Sequence, residues 1–183
     1  MLLTFNELNN LIDDGIIQGA KREHVNAASI DVVLGNMIWV EAPIPGGCTI
    51  VDLAAKETPN MLQHNLDIHG HYDLRSQHFC LAQTKEIFNL PNNIAAEFRL
   101  KSSAARAGLN ASLAMWCDPG WNGSTLTLEL SNVLQYHDLR LRSGMKIGQM
   151  IFYNGTKVPK HASYATKGQY NGDTSATPSK GIR

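Results

Sequence analysis

The chain has 183 residues, 43% hydrophobic and 17% charged, which suits a single folded domain with a real core and excludes a disordered chain. Sixteen Lys and Arg balance sixteen Asp and Glu, so the chain lacks the basic excess that holds a nucleic-acid polymer, though a few local cations could still grip a small anion. No apolar run reaches the roughly 18 residues of a membrane span.

The start, MLLTFNELNN, lacks a basic segment followed by an apolar core, so no secretory leader is expected. It reads instead as a helix. Thr4 and Glu7 have capping-box spacing, Phe5, Leu8, Leu11 and Ile12 form one apolar face, and Gly15 can end the helix. The pattern then changes to period two. Strands are predicted at 29–35, 37–42, 78–83, 94–100, 109–116, 124–130, 138–142 and 146–153, separated by the turn signals IPGG, LPNN, DPGWNG and RSGM. Many short strands at this spacing predict an all-β, antiparallel barrel or sandwich. A short helix interrupts them at 101–108, KSSAARAG, with Ser102 placed to cap and Gly108 to close. The last 20 residues, 164–183, have no hydrophobic period and are rich in Gly, Ser and Thr, which predicts a mobile tail. Cys48, Cys80 and Cys117 are widely spaced and odd in number, as expected of reduced thiols in the cytoplasm.

Three stretches carry candidate chemistry. A helix N-terminus attracts phosphate; Lys101 adds charge there, Ser102 and Ser103 add hydroxyls, and Arg106 shares a face with both serines. On spacing alone the plainer reading, a capped helix with a solvated Arg, is favoured. Asp118-Pro119-Gly120 opens a turn. In the following strand Leu126, Leu128 and Leu130 share one face, while Thr125, Thr127, Glu129 and Ser131 share the other. A carboxylate there is more often solvated than catalytic. His69 and His71 alternate as metal ligands on a strand could, but no Cys or carboxylate sits at ligand spacing, so they read as surface. The His-x-Glu and Pro-Cys-x-x-Cys motifs of zinc-dependent nucleobase deaminases do not occur.

Taken together and in order, VNAASIDVVLG (25–35), LPNNIAAEFRLKSSAARAGL (90–109), DPGWNGSTLTLELSN (118–132), LRSGMKIGQMIFY (141–153) and QYNGDTSATPSK (169–180) resemble the dCTP deaminase family, within the dUTPase-like superfamily. The resemblance covers nearly the whole chain. It implies a distorted antiparallel β-barrel of one domain, assembled as a homotrimer with active sites between subunits. It also implies zinc-independent hydrolysis of dCTP to dUTP and ammonia, a hydrolase step supplying dUTP for dUMP and dTTP synthesis. Alternatives on the same fold are a bifunctional deaminase–diphosphatase, a dUTP diphosphatase, or a nucleotide-binding trimer without catalysis.

By the same resemblance Glu129 is the catalytic base, and Ser102, Arg106 and the backbone carbonyl of Ala114 position its water. Lys101, Ser103 and Gln149 hold phosphates, and Asp118 anchors the sugar region or a water. Tyr164, Lys167, Gln169, Tyr170 and Asp173 belong to residues 164–183, which would close as a lid. Magnesium would ride on the triphosphate, no metal site of the protein's own is expected, and dTTP is a candidate feedback ligand. Two departures stand out. The stretch from Asp118 to Glu129 is one residue longer than in several relatives, which predicts a longer turn or bulge near Asn122–Ser124. Gln169 and Asp173 replace a usual Lys and Gln, which predicts a weakened lid and dUTP as the main product.

Overall fold

The computed structural model describes residues 1–47, 49–111 and 114–182. Cys48, Ser112 and Leu113 of the predicted 109–116 strand, and Arg183 at the end of the tail lie outside the described residues.

The predicted first helix is α1, Phe5–Asp13. The Thr4 N–H donates to Glu7 Oε2 at 2.9 Å, the backbone half of the expected capping box. At the other end Gly15 N–H reaches Ile12 O and Ile16 N–H reaches Leu11 O, the paired bonds of a Schellman closure. Leu8 and Leu11 are buried, whereas Phe5, assigned to the apolar face, is exposed.

The strands follow in chain order: β1 (Ile17–Gln18), β2 (Ile30–Val33), β3 (Met37–Glu41), β4 (Met61–Asn65), β5 (Tyr72–Leu74), β6 (Phe79–Asn89), β7 (Ile94–Leu100), β8 (Leu109–Ala111), β9 (Trp116–Cys117), β10 (Asn122–Asn132), β11 (Leu139–Leu141) and β12 (Lys146–Asn154). The other helices are α2 (Leu66–His69), α3 (Ser102–Arg106) and α4 (Tyr164–Lys167). One sheet has the order β4-β3-β6-β10-β8 with β1 added on β6; a second runs β2-β12-β7-β9; β11 and β5 form a third pair. Every pairing is antiparallel. The result is a distorted, incompletely closed barrel, the fold class expected. Phe88, Phe98, Phe152, Ile30, Leu34 and Leu128 are fully buried between the sheets.

Several boundaries move. The single strand predicted at 109–116 is two strands, β8 and β9, which pair with β10 and β7 respectively. The helix predicted at 101–108 is shorter, and its N-cap is Lys101, in extended conformation, so Ser102 is the first helical residue and not the cap. His69 ends α2 and His71 lies beyond Gly70, so the pair does not alternate on a strand. Cys80 and Cys117 are free, buried thiols, with burial pushing each pKa up to about 12.

The expected irregularity after the turn is present. Asn122 pairs with Asn89 but Ser124 with Phe88. Two residues of β10 therefore oppose one of β6, with Gly123, at φ +65°, taking the left-handed conformation such a bulge needs. A second break follows, since Thr125 pairs with Ile87 and Thr127 with Gln83. Beyond it the alternation is regular: Leu126, Leu128 and Leu130 are buried, while Thr127, Glu129 and Ser131 are half-buried.

Candidate active site

The polar face of β10 looks into a cavity of about 460 Å³. Glu129 stands in it among Met61, Phe79, Leu81, Trp116 and Trp121. Glu129 Oε2 is buried and has no hydrogen-bond partner among the described residues. Burial pushes the carboxyl pKa up from its ordinary value, a backbone hydrogen bond opposing only part of that shift. A carboxylate in apolar surroundings holds its proton to higher pH, which is how a carboxylate becomes a base suited to neutral solution.

One aromatic wall, Trp121, is tied to the tail, and the other, Trp116, to the Asp118 turn. The Trp121 ring stacks on Phe88 at 5.5 Å, and its Nε1–H donates to Tyr170 O at 3.0 Å. The Trp116 Nε1–H donates to Asp118 Oδ1 at 2.9 Å. Within the 164–183 segment, residues 170–177 meet β10 and the turn before it through specific hydrogen bonds. Thr125 N–H donates to Asp173 O at 2.9 Å, Gly172 N–H to Ser124 Oγ at 2.8 Å, and Asn122 N–H to Asn171 Oδ1 at 2.8 Å. Lys180 Nζ donates to Asp173 and, at 2.9 Å, to Gln169 O, and lies 4.9 Å from the Tyr170 ring centre.

The residues singled out from sequence fall into two groups. Ala114, Glu129, Tyr164, Tyr170 and Asp173 line the cavity. Asp118 is exposed beside it, bonded to Trp116, and Gln169 meets Lys180 through its carbonyl. Lys167 is the exposed last residue of α4. The other group does not line this cavity, and two of its members, Lys101 and Gln149, lie at Asp31. Lys101 Nζ donates to Asp31 Oδ1 at 2.8 Å, Lys146 Nζ to Oδ2 at 3.3 Å, and Asn26 Nδ2 to Oδ1 at 2.8 Å. Burial pushes the Asp31 pKa up, but these three side chains outweigh it and hold the carboxyl below its usual range. Gln149 pairs with Asp31 across β12 and β2, and its Oε1 accepts from Ser29 Oγ at 3.2 Å. Ser102, Ser103 and Arg106 are exposed on α3. Ser102, Arg106 and Glu129 thus do not assemble in one cavity within one chain. Among the described residues no three His, Cys, Asp or Glu side chains come together as a metal cluster, and no helix is long and apolar enough to cross a membrane.

Sequence reasoning missed the walls. Trp116 and Trp121 bracket the Asp118 turn, and two tryptophans within six residues were a signal for an aromatic pocket. Lys180 was hidden because its relevance depends on the fold-back of the tail.

A family model described as dCTP deaminase-like matches residues 2–155. A dUMP-forming dCTP deaminase of Aquifex aeolicus is 31% identical over 182 residues, covering 98% of this chain and 94% of its own. Two proteins of the same description, from Methanosphaerula palustris and Methanoregula boonei, are 32% and 35% identical, covering 83% and 85% of this chain and 79% and 82% of their own. The fold is similar to a 2'-deoxycytidine 5'-triphosphate deaminase from Agrobacterium tumefaciens, with TM-score 0.63 and 19% identity over 84% of this chain; this chain spans about half, 48%, of that one. It is also similar to a dUTPase from phage phi11, with TM-score 0.50 and 12% identity, covering 78% of this chain and 86% of that one. With the family model matching most of its length, the chain belongs to the dCTP deaminase-like family.

Proposed function

We propose that the chain hydrolyses the C4 amino group of dCTP, with Glu129 as the base. The observation that carries this reading is the Glu129 carboxylate, with one oxygen buried and without a partner among the described residues, its pKa raised, in an apolar-walled cavity of nucleoside size. Glu129 takes a proton from water as the oxygen adds to C4 and delivers that proton to N3. It then takes the remaining proton of the C4 hydroxyl and passes it to the departing amine as the C4–N bond breaks, leaving a uracil ring and ammonia. This route asks no zinc of the protein. Trp116 and Trp121 give the pyrimidine and sugar flat apolar walls.

The water needs more than Glu129. The exposed Ser102 and Arg106 of α3 would reach it from a neighbouring subunit, with the Ala114 carbonyl as a further acceptor, in a homotrimer whose sites lie between chains. Arg106 there would stabilise charge developing at the attacked ring. Lys101, Ser103 and Gln149 would meet phosphates; Lys146 and Asn26 keep Asp31 bonded when Lys101 turns to a phosphate oxygen. Asp118 would hold the sugar region or a water.

Magnesium fits as a companion of the triphosphate. Asp173 is bonded to Lys180 and Asp118 to Trp116, so these carboxylates have partners, and a cation that prefers phosphate oxygens and retained waters suits such a site. When bound it would shield the phosphate charge. The tail, with Tyr164, Lys167, Gln169, Tyr170 and Asp173, would act as the lid, and dTTP would compete for the same cavity.

The product follows from the tail. The expectation of dUTP rested on an uncompensated Asp173, but Lys180 pairs with it. Together with the dUMP-forming description of the relatives, this favours continued hydrolysis of the nascent dUTP to dUMP and pyrophosphate. Incubation with dCTP and magnesium tests the reading: ammonia and dUMP should appear in step, whereas accumulation of dUTP would limit the activity to deamination.

A further inference from the structure

We propose that Gln83, a buried residue of β6, is the positioning residue that seats the tail as a wall of the cavity. The proposal rests on the reading of that cavity as a nucleotide site. Gln83 is 7% exposed and Ala176 1%, and the Ala176 N–H donates to Gln83 Oε1 at 2.5 Å. One residue on, the Thr177 N–H donates to Thr127 Oγ1 at 3.3 Å, and Thr127 is the cross-strand partner of Gln83. The tail therefore docks on one Gln–Thr pair spanning β6 and β10. The residues that follow, Thr177, Pro178 and Ser179, form part of the cavity wall beside Glu129.

The seat is built from the other end of the sequence as well. Gly35 closes the SIDVVLG stretch, and its N–H donates to Gln83 O at 2.7 Å. A Cβ at position 35 would fall 2.7 Å from Gln83 Cγ and 3.1 Å from Nε2, closer than side-chain contacts allow, so a side chain there would push Gln83 off the tail. Glycine at 35 and glutamine at 83 thus serve one contact. A buried N–H left without its acceptor is costly, so loss of the Gln83 amide frees the tail while leaving Glu129 in place.

The test is Gln83→Met, which keeps length and apolar packing but removes the acceptor, in the full chain. Amide hydrogen exchange of Ala176 and Thr177 in the nucleotide-free protein should quicken about tenfold, the equivalent of about 1.4 kcal/mol, while amides of the β6–β10 ladder keep their rates. The KM for dCTP should rise by a similar factor with kcat conserved within about twofold. Gly35→Ala should reproduce both changes, and adding Ala176→Leu to Gln83→Met should cost no more than the larger single effect. Unchanged exchange at Ala176, equal quickening throughout the ladder, or a fall in kcat at constant KM would overturn the proposal. If the parent protein releases no ammonia from dCTP, the functional reading fails, and the exchange rates still decide the role of Gln83.

Discussion

Lys180 Nζ lies 2.8 Å from Asp173 Oδ2 and 3.0 Å from Oδ1, so the carboxylate that distinguishes this tail is neutralised within the tail itself. Both side chains are partly exposed, which limits the pair to about 1 kcal/mol or less. Lys180→Met should therefore raise the KM for dCTP about two- to fivefold, because Asp173 then faces the phosphates unpaired. Adding Asp173→Gln should bring KM back toward the parent value. Steady-state kinetics of the two single variants and the double variant measure this coupling, and strict additivity would remove Lys180 from the account.

The tail also shows where sequence reading stopped. Alternation located β2, β3, β7, β10 and β12, because each buries one clear face or both. It missed Ile17–Gln18, too short to show a period, and Met61–Asn65, an edge strand with no buried residue. It missed the docking of 170–177 because on the tail's side those contacts run mostly through backbone N–H and C=O groups, which carry no hydrophobic signature. Spacing correctly put Ser102, Ser103 and Arg106 on one turn, but spacing within a helix does not say what that turn faces. The bulge at Gly123 was legible because one inserted residue must be absorbed if Glu129 is to keep its face.

Glu86 offers a test of the barrel independent of catalysis. It is fully buried, among the described residues its carboxyl accepts only the Val33 N–H from outside its own residue, at 3.2–3.3 Å, and burial pushes its pKa up to about 7. A raised folded-state pKa means the native state binds the proton more tightly than the unfolded chain, so this contribution is fully present below the unfolded value of 4.5 and is lost as pH rises through about 7. The loss is at most about 3 kcal/mol. Tm should fall between pH 5 and 8 in the parent, and the slope should flatten in Glu86→Gln. An equal slope in both proteins would show that Glu86 ionises without cost.

Shared sites make a distinct prediction. The protein should sediment at three times the 20.1 kDa chain mass. Glu129→Gln and Arg106→Ala should each be inactive alone, but co-expression should restore about a quarter of the sites, those pairing an intact Glu129 with a neighbour's intact Arg106. No recovery in verified mixed trimers would place both residues in one chain's site.

The proposed mechanism keeps zinc out of the reaction. A zinc-selective chelator in excess magnesium should leave ammonia release unchanged; loss restored by zinc and not by magnesium would require a different mechanism.

The central claim is that Glu129 is the base, and the most direct measurement is ammonia release from dCTP by Glu129→Gln beside the parent protein, across pH. The variant should fold, bind dCTP and show a Tm equal to or above the parent's, since a desolvated carboxyl is replaced by a neutral amide. Its deamination rate should drop by about 10²–10⁴-fold. In the parent, kcat/KM should fall on the acid side at a pH above 4.5, because the base works only when deprotonated and burial raises its pKa. Ammonia release by Glu129→Gln at near the parent rate, with the acid limb unchanged, would contradict the account.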